Sequence, residues 1–234
     1  MSIPEQGRYN APLTELDLNE VRRYAGLQTS EFSKQLLTTA VDELRLLAKP
    51  QSCWHLYDYN AETGQVKADQ PYRLPGRSIT NHLAIATKVI FLAATVGKKV
   101  EEAITAYFNE GNYTLAILLD AAATAAVEKI ANDLERTLRP QFAAHGYQFL
   151  SRFSPGYGDW DITAQKRVLP LTDGETIGLE LTPAMMLVPR KSITAVIGLT
   201  ANECLSQPEK NDPPCQHCNK TNCLARKSNS LVNS

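Results

Sequence analysis

The stretch from Leu115 to Leu138 constrains this chain more than any other, because it carries the longest helical signal and consists largely of strong helix formers. Within it, Ala121-Ala122-Ala123-Thr124-Ala125-Ala126 offers side chains small enough for another element to approach closely. Pro140 is expected to end the helix. Asp120, Thr124 and Glu128 recur every four residues and draw a polar line up one face. Taken alone, that line is a solvated stripe.

Around this helix the pattern is mixed. Residues 12–49 read as helical, with Asp17 or Asn19 available to cap Glu20 to Tyr24 and Gly26 to close the turn. From about Ser30, apolar residues at Phe32, Leu36, Leu37, Ala40, Val41, Leu44 and Leu47 make one buried helical face, and Pro50 stops it. Cys53 to Tyr59, Ser78 to Leu83, Lys88 to Ala94, Tyr147 to Phe153, Gly178 to Leu181 and Ser192 to Leu199 have strand character. The last of these shows an Ile193, Ala195, Ile197, Leu199 face. Helices are expected over Val100 to Phe108 and, capped by Asp161, over Ile162 to Leu169. Without a βαβ rhythm or an internal repeat, these elements predict an α+β fold of mixed helices and a largely antiparallel sheet. One main domain is expected over residues 1–203, with its N-terminal helical part at 15–50 and a Cys-rich tail at 204–234.

Composition narrows the function classes. The 234 residues are 43% hydrophobic and 21% charged, which is a globular profile. A formal charge of -1 gives no global field for nucleic acid or anionic lipid, and no local basic patch stands out, so no nucleic-acid partner is expected. Met1 to Gln6 lacks a basic start followed by an apolar stretch, and no window reaches 18 uncharged apolar residues, so the expected location is cytoplasmic, with no membrane span.

Two segments have chemical potential. In Arg152-Phe153-Ser154-Pro155-Gly156-Tyr157, a guanidinium fork lies close in sequence to a glycine that leaves backbone uncovered, so a ligand carboxylate can take the fork while Tyr157 caps the rest. A turn carrying a surface arginine is the plainer alternative. Leu181-Thr182-Pro183-Ala184-Met185-Met186-Leu187-Val188-Pro189 reads as core filling. The histidines His55, His82, His145 and His217 are scattered and form no nucleophile triad pattern. No Gly-x-Gly-x-x-Gly follows a strand, which disfavours a dinucleotide-type fold.

These two segments, in this order and running on to Gly198, resemble the activation domain of vitamin B12-dependent methionine synthase, particularly its free-standing versions. Glu20 to Gly26, Ala93 to Gly97 and the helix from Asp120 to Glu128 extend the resemblance over residues 15–200. The resemblance implies a domain that binds S-adenosylmethionine in a shallow groove and supports reductive methylation of cob(II)alamin. By position, Arg152 matches the arginine that takes the ligand carboxylate. Ser154, Gly156 and Tyr157 fall in the segment that lines the site, and Glu128 matches a helical glutamate that contacts the ligand. The family's aspartate in an early strand has no counterpart here, which leaves the ligand's amino group without an assigned partner. The chain has no Asp-x-His-x-x-Gly, so the cobalamin is expected on a partner, a cobalamin-binding methyltransferase or corrinoid protein, with a flavodoxin or ferredoxin as electron donor. Two other functions stay open: a non-catalytic metal-binding module that docks a corrinoid protein, and a reactivator of a different corrinoid methyltransferase.

Cysteine usage adds a third constellation. Cys215-x2-Cys218-x4-Cys223 has chelating spacing, and Cys204 is the natural fourth ligand for zinc or an iron–sulfur cluster. Free thiols are the alternative. Four cysteines so close together, in a chain without a recognisable secretion signal, argue against a disulfide framework.

Overall fold

A computed structural model describes residues 3–10, 12–28 and 32–201. The expected metal ligands Cys204, Cys215, Cys218 and Cys223 and the tail at 204–234 lie outside the described residues.

The elements run β1 (Gln6–Arg8), α1 (Leu18–Tyr24), α2 (Lys34–Leu47), β2 (Gln51–Asn60), β3 (Gln65–Lys67), β4 (Tyr72–Arg73), α3 (Arg77–His82), β5 (Lys88–Thr95), α4 (Lys98–Asn109), α5 (Tyr113–Ala143), β6 (Tyr147–Phe149), α6 (Gln165–Leu171), β7 (Glu180–Leu181), β8 (Leu187–Val188) and β9 (Ser192–Ala201). Seven strands form one antiparallel sheet in the order β4-β3-β2-β5-β9-β6, with β1 on β2; β7 and β8 form a separate hairpin. The fold is α+β, as expected.

The sheet's centre is covered on both faces. Leu92, Ala94, Ala195 and Ile197 pack under α5, α1, α2 and α4, whereas Phe91, Val89 and Val196 pack with Ile79, Trp160 and Val168 on the other side. β5 and β9 therefore bury nearly every residue and show no alternation, as fully covered strands do. The Ala195, Ile197, Leu199 face expected for β9 is one of its two buried faces. Ala122, Ala123 and Ala126 are wholly buried on α5, which explains the small side chains.

Several local expectations are corrected. Ser78 to Leu83 falls in the helix α3 and its C-cap, not in a strand; Asp159, 82 residues after Arg77, caps the helix by accepting from the Arg77 N–H at 2.7 Å and the Ser78 N–H at 2.8 Å. A cap supplied from that distance leaves no local signal. Pro140 does not end α5, which continues to Ala143. A proline costs only one bond so close to the helix end, and Phe142 pins the last turn through edge contacts with Trp54 and Phe149. α2 starts later, at Lys34, with Ser33 as its cap. The 147–153 segment pairs as a strand only over β6, then touches β9 again at a single bridge between Phe153 and Val196. Pro155, which lacks an N–H, cannot repeat that paired exchange two residues on, opposite Thr194. Residues 162–169 divide into a 3-10 turn, capped by Asp161, and the helix α6. Gly178 lies between a 3-10 turn and the short β7. Among the described residues no helix is long and apolar enough to cross a membrane.

Candidate functional site

Between Leu118 and Ala131 helix α5 is buried on most of its circumference, and a polar strip that reaches solvent runs through Asp120, Thr124, Glu128, Asn132 and Glu135. The four-residue line seen in the sequence thus continues one step further, to Asn132, and Glu135 lies three residues beyond it. Two cations from the far side of the chain close on it. Lys191, just before β9, lies 2.8 Å from Asp120 Oδ2 and donates to Thr124 Oγ1 at 2.9 Å. Arg152, after β6, donates from Nη2 to Asn132 Oδ1 at 2.7 Å and to Glu128 Oε2 at 3.3 Å.

Arg152 is 18% exposed, and its second nitrogen, Nη1, is 3.7 Å from Glu135 Oε2. That contact is attractive but too long for a hydrogen bond. Nη1 is buried and lacks a hydrogen-bond partner among the described residues. Glu135 is shared, because Arg139 donates to its Oε1 from Nε at 3.1 Å while lying over the Phe149 ring. The fork that the sequence placed beside bare backbone therefore turns toward α5. Next to Glu128 is Tyr24; burial raises its hydroxyl pKa, opposed by a hydrogen bond from Arg23, and the Glu128 charge adds to the rise. Arg23 stands over the Tyr24 ring at 4.0 Å.

The Ser154 to Trp160 segment is a tight double turn. The Tyr157 N–H donates to the Ser154 carbonyl at 3.1 Å, and the Gly156 N–H donates to the Trp160 carbonyl at 2.7 Å. Gly156 has φ +93°, a conformation that favours glycine. At Gly158, φ is +56° and a Cβ would come within 2.5 Å of Ser78 Oγ, so the backbone lies directly on α3. Trp160 is fully buried beneath the turn. Hydrogen bonds from Ser78 and Arg77 hold the Asp159 carboxyl below the usual carboxylate range, and bonds from Thr163 do the same for Asp161. Tyr157 remains 45% exposed, edge-on to Phe153 at 5.9 Å.

Glu128 and Arg152 are thus brought into contact, and Ser154, Gly156 and Tyr157 share one turn. Because Phe153 packs on the sheet face opposite α5, the turn and the strip flank the same edge of β9 from its two sides. Sequence reasoning missed Asn132, Glu135 and Lys191. Continued four-residue spacing marks Asn132, but nothing local marks Lys191, which reaches α5 only through the tertiary fold.

Two other polar features lie apart from this edge. A cavity of about 430 Å³ opens between α6 and β7, lined in part by Lys166, Glu175 and Glu180 and by none of the strip or turn residues. On β2, His55 is 3.3 Å from Asp173, and Cys53 is buried with its thiol pushed up to about 12 by desolvation, which leaves it protonated and unreactive at neutral pH. Among the described residues no group of three or more His, Cys, Asp or Glu is placed to hold a metal ion.

Thirteen solved chains match this helix-backed antiparallel sheet architecture. One of them is described as the MetH reactivation domain bound to AdoHcy; it has a TM-score of 0.58 and 13% identity, covering 82% of this chain and 78% of that one. At that identity the likeness establishes the fold. No family model matches the chain, and no curated protein does.

Proposed function

We propose that this protein binds S-adenosylmethionine on the Arg152 edge and acts as a reactivation subunit for a cobalamin-dependent methyltransferase such as methionine synthase. The observation that carries this reading is the convergence of Glu128 and Arg152, 24 residues apart, beside the Gly156 turn, in a fold shared with a domain described as AdoHcy-bound. Arg152 presents a planar donor fork with one unsatisfied buried N–H, which fits a carboxylate. Glu128 supplies negative charge beside it for the cationic part of the ligand, and Tyr157 offers an exposed ring next to bare backbone at Gly156. When bound, the sulfonium supplies a methyl cation for the reduced cobalt of a corrinoid held by the partner. The chain's own residues have only to bind, orient and leave one side of the ligand accessible. The partner is a cobalamin-binding methyltransferase or corrinoid protein in the cytoplasm, with flavodoxin or ferredoxin as donor, and the tail cysteines take zinc or an iron–sulfur cluster.

Calorimetry tests the ligand. The whole chain is expected to bind S-adenosylmethionine, and Arg152→Ala to weaken binding by about 1.5–3 kcal/mol through loss of a charge-assisted bond; unchanged affinity removes Arg152 from the site. A second reading follows from the pairing of Arg152 with Asn132 and Glu135: the arginine is a strut between β6 and α5 in a module that docks a corrinoid protein without binding the sulfonium. In that case Arg152→Ala lowers thermal stability, while wild type shows no heat with the ligand. Metal analysis with an anaerobic absorbance spectrum decides the tail, and a colourless, metal-free protein removes zinc and cluster together.

A further inference from the structure

Two cations meet α5 by one pattern. Lys191 engages a carboxylate at 120 and a neutral oxygen at 124, and Arg152 engages a carboxylate at 128 and a neutral oxygen at 132. The pattern repeats after eight residues, about 12 Å along a helix rising ~1.5 Å per residue. Lys191 and Arg152 are equally enclosed, at 17% and 18% exposure. The two acids keep an accessible surface, 43% for Asp120 and 36% for Glu128. On the other side of Arg152 the strip is taken up by Glu135, which holds Arg139 over Phe149. Along the strip, a ligand anchored by its carboxylate on Arg152 therefore meets further unblocked polar groups in the direction of Asp120.

Asp120 is placed to accept. Lys191 holds Oδ2, and Oδ1 has no hydrogen-bond partner among the described residues. A carboxylate fixed by one oxygen, with the other free, suits a sugar hydroxyl, as acidic residues do in dinucleotide sites. In an S-adenosyl amino acid eight bonds separate the carboxylate carbon from a ribose hydroxyl oxygen, an extended reach of about 10 Å at the ~1.2 Å per bond of a stretched chain. With a hydrogen bond of ~2.9 Å at each end the stretched ligand reaches about 15 Å, more than the spacing of the two sets, so a bent ligand spans them.

Resting on the ligand reading given above, we infer that Asp120, held by Lys191 and flanked by Thr124, is the second end of the same site and binds the ribose hydroxyls of the S-adenosyl ligand.

Titration of the whole chain with S-adenosylhomocysteine and its 2′,3′-dideoxy analogue tests this. Wild type is expected to prefer the hydroxylated ligand by about tenfold or more, the worth of a hydrogen bond to a charged group. Asp120→Asn is expected to lose most of that preference while still responding to Arg152→Ala. Should Asp120→Asn fail to fold, the wild-type preference alone decides, since equal affinity for the two ligands overturns the assignment. If wild type binds S-adenosylhomocysteine and Asp120→Asn keeps the full preference, the second end is wrong and the Arg152 end stands. If wild type binds neither compound, both readings fall.

Discussion

Single residues carry the chemistry of this protein through what holds them. Arg152 is held by an amide and two carboxylates of α5, so the fold itself sets its direction. Asp159 works similarly at the turn, where its carboxylate takes two N–H groups of α3. Because those bonds lower its pKa in the folded state, the stabilisation is fully present above the ordinary carboxylate pKa and is lost as pH falls through the lower folded value. Acid unfolding followed by circular dichroism is expected to show this: Asp159→Asn should be less stable than wild type at neutral pH and lose less further stability between about pH 5 and 2. Parallel pH profiles for the two proteins would mean that the cap does not depend on the charge.

At the scale of elements, the middle of α5 combines two incompatible-looking demands, a helix buried almost all round and a solvent-facing polar strip. Alanines resolve them by letting the sheet come close enough to cover the rest. Ala122→Leu is therefore expected to destabilise by about 1–3 kcal/mol, read from denaturant midpoints, because the site has no room for three more carbons. Much of this was legible in sequence. The Ala run, the Asp120 to Glu128 spacing and the Asp17 and Asp161 caps all act over a few residues, and propensity and periodicity report such distances well. α3 was not legible, since its cap arrives from Asp159, and neither was the persistence of α5 through Pro140, which depends on where Phe142 packs.

Across the whole molecule, one antiparallel sheet covered on both faces gives the proposed ligand edge a rigid base: β9 carries α5 on one side and the Gly156 turn on the other. On the proposed function, such an edge would position a ligand without enclosing it and leave one flank for a protein partner. Reconstitution is the test at this scale. Mixed with an oxidised corrinoid partner, a reductant and S-adenosylmethionine, the protein is expected to speed the appearance of the methylcobalamin spectrum, and the Arg152→Ala form to do so markedly less. An equal rate without the protein would exclude reactivation.

The amino-acid sequence by itself determined the α+β class, the long alanine-bearing helix and its polar line, because hydrophobic periodicity, caps and side-chain size are written over short spans. Only the tertiary structure decided that Arg152 turns toward α5, that Asn132 and Glu135 hold it, and that Lys191 engages Asp120. Those contacts join residues 17 to 71 positions apart, and sheet register rather than local preference sets their distances.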